Sequence, residues 1–574
     1  MPGRGGAILR ASPPPLPMRL LLLAVLAALP AAAQDAPARY VATGGTVYTV
    51  DDRRPTAEAF AVEDGRFVAV GSEDEVRDGR ADWARVDLGG AAVVPGLIDA
   101  HAHLLGLGEA LLQADLVGTR SVGEVVERLR EFSATLPDGA WITGRGWDQN
   151  DWGGDGAFPT RADLDAAFPD RPVWLGRIDG HAAWANTAAL RAAGLDPDAA
   201  APPDPEGGAV IRDGAGRPTG VFVDAAEGLV ARALPAPDAA FYEEALRRAL
   251  AETARHGLTG VHEAGISVAQ IDLYRRAIDA GRFPIRNYAM VSVDEVPAFC
   301  ERYGGRAAHG GRLAVRSVKV YADGALGSRG AALLADYADD AGNRGLLFRQ
   351  PDALRETVTA AMRCGLQVNT HAIGDRGNRV VLDAYEAALA ATGGAATDGG
   401  AGRHRIEHAQ VVSLDDVARF AALGVIASVQ PTHATSDMPW AEARLGADRT
   451  RGAYAWRRLL DAGVRLALGS DFPVERVSPL LGFHAAVTRQ DARDAPAGGW
   501  YGNQVLTRAE ALRGFTLDAA YAAFMEGEVG SIEPGKRADF VVLSRDVMTA
   551  PPEDILGTRV LATYLDGAPV YRAD

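Results

Sequence analysis

Short apolar runs, each followed by an amphipathic stretch with helical spacing, recur through the middle of this chain. The runs at 93–99, 173–178, 258–263, 314–321, 366–371, 403–408, 424–430 and 464–471 read as buried strands, because strands covered on both faces lose the simple in/out alternation. Strands that alternate with helices predict parallel β/α units, and this many suit a closed (β/α)8 TIM-like barrel. The segment at 141–146 competes with 173–178 for the second position. Residues 110–240 are too many for one simple unit. They include a hairpin pattern, 209–214 against 219–223, and predict an elaboration over the barrel mouth.

The two ends have another rhythm. Short strand-like runs at 45–50 and 59–70, with Asp64-Gly65 as a hairpin turn, are matched by runs at 538–543 and 560–571. This predicts a small β-sandwich domain built from both ends, 34–92 with 526–574, and the barrel at 93–525 inserted between them. Residues 391–402, rich in Gly, Ala and Thr, read as a flexible surface loop.

At the extreme N-terminus, Met18 and Arg19 precede an apolar core that ends in Pro30-Ala31-Ala32-Ala33. The core is too short to span a membrane, and the pattern predicts a signal peptide over 1–33, export to the periplasm or medium, and no stable membrane anchor. Met18 competes with Met1 as the initiator. The formal net charge is −16. Removing 1–33 takes away Arg4, Arg10 and Arg19 and no acid, which leaves −19. Such a balance argues against general nucleic-acid or anionic-membrane binding. Two cysteines, Cys300 and Cys364, are too few for a disulfide framework, and the sequence alone leaves their pairing open.

The strand ends carry the chemistry. His101 and His103 follow the first barrel run. Residues two apart in an extended strand share a face, so both imidazoles point one way and can chelate one cation. Asp99 has the same parity and can orient a ligand or add charge. His371, His408 and Asp471 end the fifth, sixth and eighth runs, at the strand termini where barrel active sites lie. His404 shares parity with His408 but stands at the entrance of its strand. His262, on the third run, is read as lining the pocket. His256, His309, His433 and His484 have no comparable placement.

Lysine usage adds a second signal. The chain has 59 Lys plus Arg, yet its only lysines are Lys319 and Lys536. Lys536 lies in a polar turn, whereas Lys319 lies inside a strand-like run. A guanidinium stays protonated and cannot act as a nucleophile, so a site that needs an amine cannot accept Arg. A buried amine can react with CO2 to give a carbamate, whose two oxygens can bridge two metals.

Together these segments resemble the amidohydrolase superfamily, in its amidohydrolase family 3: the YtcJ-like group that includes N-substituted formamide deformylases. The resemblance covers nearly all of 39–574 and rests on 95–103 (PGLIDAHAH), 319–329 (KVYADGALGSR), 371–376 (HAIGDR), 405–410 (RIEHAQ), 469–473 (GSDFP) and 530–539 (GSIEPGKRAD). It implies a metal-dependent hydrolase that cleaves a carbon–nitrogen bond of a small-molecule amide or formamide. Carried over by position, His101, His103 and Asp471 would hold one divalent metal, and His371 and His408 the other. Lys319, carboxylated, would bridge them. Zinc suits this mixed donor set best. Asp471 would also serve as the proton shuttle. His181, His262, Tyr321, Asp323 and Arg329, with Ser328 and Asp375, are expected to contact substrate or support the site. A one-metal deaminase is the nearby alternative, which Lys319 argues against. A non-catalytic binding protein is the distant one, and no ligand position is missing to support it. The sequence leaves the oligomer open, and a homodimer is compatible with it.

Overall fold

A computed structural model describes residues 37–152, 157–178, 182–205, 208–393 and 403–573. The signal segment, His181 and most of the loop at 391–402 lie outside the described residues. Among those described, no helix is long and apolar enough to cross a membrane.

Eight parallel strands form the barrel: β1 (Leu97–Ala102), β2 (Leu258–Ile266), β3 (Arg286–Ser292), β4 (Leu313–Tyr321), β5 (Gln367–Ala372), β6 (Arg405–His408), β7 (Ile426–Val429) and β8 (Leu466–Leu468). Each pairs in parallel with the next. Contacts just past β8 join it to β1. The Asp471 N–H donates to the His101 carbonyl (2.7 Å), and the His103 N–H donates to the Phe472 carbonyl (2.8 Å). Asp99 accepts from the Ser470 hydroxyl at 2.6 Å. Gly469 makes room for this, since a Cβ there would stand 2.5 Å from the Asp99 carboxylate.

The second expected strand, 173–178, is not a barrel strand, and neither is its competitor at 141–146. Ile142–Trp147 and Val173–Arg177 pair in parallel with each other in a separate six-stranded sheet, with the predicted hairpin, Gly208–Arg212 and Pro218–Asp224, at its edge. The insertion thus contains a β/α unit of its own, which local periodicity cannot distinguish from a barrel unit. The barrel strand missed in sequence is β3. Its first residues, Arg286 and Asn287, are polar yet buried. Arg286 pairs with Asp539 at 2.8 Å and with Asp566 at 2.6 Å, tying the barrel to the C-terminal segment. Asn287 donates to Glu263 at 2.7 Å.

The chain ends form two sheets over one core. Thr46–Tyr48 and Ala92–Pro95 share a sheet with Phe540–Leu543, Val560–Leu565 and Ala568–Arg572. The hairpin Ala59–Glu63 and Arg66–Gly71 lies in the other sheet, with Arg39–Thr43 and Ala84–Asp87. Asp64 and Gly65 both have positive φ, 49° and 77°, as the predicted two-residue turn requires. Phe60 meets Phe540 across the core at 4.9 Å, and Phe540 stacks on Tyr564 at 4.2 Å. Gly96 joins sandwich to barrel where a Cβ would strike Thr259 at 2.1 Å.

Cys300, in the helix Val296–Tyr303, forms a disulfide with Cys364, the residue that ends the helix Pro351–Arg363, closing a sequence separation of 64. Cross-links of this kind stabilise a fold by about 2–4 kcal/mol, largely by restricting the unfolded chain. Replacing both cysteines by serine is therefore expected to lower the urea midpoint of unfolding. A midpoint equal to that of the oxidised wild type would contradict this.

Candidate metal centre

β1 ends at Ala102, and His103 stands at the N-cap position of the helix Leu104–Ala110 without bonding to it through its side chain. Both histidines of the pair therefore face the mouth. His103 Nε2 lies 3.1 Å from Asp471 Oδ1, and His101 Nε2 lies 3.5 Å from the same oxygen. Lys319, near the end of β4 and fully buried, places Nζ 2.9 Å from His101 Nε2. The ring of His408 stands 4.9 Å from that of His101 and 4.5 Å from that of His371. The six residues expected to bind metal thus converge on one space at the C-terminal ends of β1, β4, β5, β6 and β8. His408 and Asp471 sit in the left-handed backbone region, with φ of 73° and 64°. That conformation is costly for residues with a side chain and gathers where function demands it.

The partners behind these side chains fix their free atoms. His101 Nδ1 is hydrogen-bonded to Glu407, which also pairs with Arg405 at 2.8 Å. Burial opposes charge on Glu407, but the Arg405 guanidinium and His101 hold its carboxyl well below the usual range. His408 Nδ1 meets Gln430 Oε1 at 2.8 Å. With Nδ1–H donated backward in both, each Nε2 keeps its lone pair for the centre, the arrangement that orients metal-binding histidines. Burial, helped by the charge of Lys319, pushes His101 down to about 4 and His371 to about 3, so both are neutral donors. Burial also brings the Lys319 amine down to about 8.

The site fits divalent cations. His371 Nε2 and His433 Nε2 are buried without a hydrogen-bond partner. Buried polar atoms rarely stay unpaired, and both are nitrogen donors with the chemistry of metal ligands. Among the described residues, two groups each bring their donor atoms within 4.8 Å of one another: His101, His103 and Asp471, and His408, His433 and Asp471. Lys319 is adjacent to the first set through His101.

The residues expected to touch substrate divide. Tyr321 is 37% exposed, with its ring 5.5 Å from that of His371, and it borders the centre directly. Asp323 is fully buried. It accepts the backbone N–H groups of Ala332, Ile373 and Gly374 at 2.8–2.9 Å, and so anchors the loops behind His371. Arg329 pairs with Asp339 at 2.9 Å on the following loop, Ser328 hydrogen-bonds the Ala325 carbonyl, and Asp375 accepts from the Leu334 N–H. His262 does not line the mouth: it lies in the middle of β2, buried, with Nδ1 2.9 Å from Arg405 and its ring edge-on to Tyr288. His404 accepts from the Val368 N–H at the strand entrance.

Two residues escaped the sequence reading. Glu407 had a legible signal, because Arg405 and Glu407 share parity in a buried strand, which demands an ion pair. His433, set aside in sequence, reaches the centre from the first turn of the helix Pro431–Asp437, where strand parity gives no guidance.

Residues 84–571 match the amidohydrolase family. The chain belongs to that family. This amidohydrolase is 34% identical to the YtcJ protein of Bacillus subtilis over 92% of its own length and 98% of that protein's. It is 31% identical to the N-substituted formamide deformylase of Arthrobacter pascens, covering 92% of this chain and 97% of the other. Its place is therefore in the YtcJ-like group. Its fold matches that of a metal-dependent hydrolase from Pyrococcus horikoshii with a TM-score of 0.73 and 28% identity, over 90% of this chain and 99% of the other.

Proposed function

We propose that this amidohydrolase cleaves a carbon–nitrogen bond, other than a peptide bond, in an amide or N-substituted formamide. The observation that carries the reading is the convergence of His101, His103, Lys319, His371, His408 and Asp471, with unpaired donor atoms turned into one space. Two divalent ions, zinc being the best match to these donors, would be held by His101, His103 and Asp471 on one side and by His371 and His408 on the other. Bound there, they supply Lewis acidity that polarises a carbonyl and makes a water acidic enough to ionise near neutral pH.

The protein's own groups do the rest. The Lys319 nitrogen would bond to CO2 with loss of a proton, and the resulting carbamate would offer two oxygen donors to the centre. Asp471 takes the proton of the attacking water and delivers it to the departing amine nitrogen. Glu407 and Gln430 keep His101 and His408 in the ligating tautomer. Tyr321, exposed beside His371, contacts the substrate. The test is a hydrolysis screen of N-formyl, N-acyl and cyclic amides with metal-reconstituted protein. Metal-dependent release of an amine supports the reading, and inertness toward all three classes in fully loaded protein contradicts it.

We propose that the enzyme works outside the cytoplasm. The signal pattern over 18–33 and the Cys300–Cys364 disulfide both support export, because such bonds persist in oxidising compartments. N-terminal sequencing of protein from its native host is expected to start at or near Gln34. A cytoplasmic chain that retains 20–29 would contradict export.

A further inference from the structure

His433 belongs to no ligand position that the sequence motifs assign, yet it is held against the centre from both ends of its helix. At the start, Gln430 bonds to His408, and its carbonyl accepts the His433 N–H at 3.1 Å. At the end, the Asp437 carboxylate accepts from Tyr454 at 2.6 Å and from Gln410 at 2.9 Å. Gln410 lies two residues after His408, so the helix is tied twice to the end of β6. The result is specific. The His433 ring stacks on that of His408 at 5.8 Å with an interplanar angle of 18°. Its Nε2 is buried and unpartnered, and lies 3.9 Å from Asp471 Oδ2. Asp471 turns its other oxygen, Oδ1, toward His103.

We infer that His433 is a further ligand of the second ion, beside His371 and His408. Its donor atom joins those of His408 and Asp471 in a triad next to that of His101, His103 and Asp471. The assignment rests on the metal-hydrolase reading above and adds a donor from the end of β7 to it. Both triads are N/O sets of the kind that zinc and cobalt accept.

The experiment is a calorimetric titration of metal-free protein with Co(II), with the visible ligand-field spectrum recorded at each addition. Wild type should take up two equivalents. His433→Ala should bind the first with unchanged affinity and the second at least about tenfold more weakly, since even residues behind the ligands change affinity by about 10–100-fold. The spectrum of the second equivalent should change as well. His433→Phe keeps the stacked ring but offers no lone pair, so it must be as defective as His433→Ala. If His433→Phe, or either variant when correctly folded, binds both equivalents with wild-type affinity and spectrum, His433 is a packing residue and the assignment falls. If wild type takes up no cobalt, the metal-hydrolase reading fails first.

Discussion

Asp471→Asn is expected to lower kcat by roughly 10²–10⁴, the usual contribution of a positioned general base, with the fold and at least one metal retained. The residue immediately follows the link between β8 and β1. Its N–H is bonded to the His101 carbonyl, and its neighbour Ser470 is locked to Asp99. The backbone therefore stays in place whatever the side chain becomes. Asparagine keeps one oxygen near His103 and His101 but has no basic site to accept a proton. Steady-state kinetics on fully metallated variant protein checks this. Near-wild-type turnover would remove Asp471 from the proton path.

Replacing Lys319 by alanine is expected to cost a bound metal and most activity. Lys319 Nζ is buried against His101 Nε2, and a methyl group there leaves the space between the two halves of the centre without a donor. Lys319→Arg separates charge from chemistry. It retains a cation, but a guanidinium cannot add CO2, so it should fail as alanine does. Short carboxylic acids added to Lys319→Ala should restore part of the rate by standing in for the carbamate. Metal analysis beside kinetics reads both effects. Full activity and two metals in Lys319→Arg would exclude the carbamate.

What could be read in the sequence follows from where each residue sits. The positions of His371, His408 and Asp471, which end apolar runs, and of His101 and His103, which follow one, were legible through strand parity. Lys319 stood out because composition had replaced almost every other lysine by arginine. The sandwich shared by both ends was visible in its turns. β3 was hidden by Arg286 and Asn287, polar residues that are buried only because Asp539, Asp566 and Glu263, distant in sequence, satisfy them. The inserted sheet took its place because it repeats the strand–helix–strand rhythm. Asp323 read as a substrate contact, but its partners are backbone N–H groups from two loops, and no side-chain pattern announces that. His262 is a similar case. Its place in the middle of β2 and its Arg405 partner emerge only once the true strand ends are known.

Metal stoichiometry tests the central claim most directly. Protein stripped with a chelator, reloaded with zinc and freed of excess should carry two ions per chain, and amide hydrolysis should return with them. One ion per chain would point instead to a one-metal deaminase, and none would leave a hydrolase barrel that has ceased to be an enzyme.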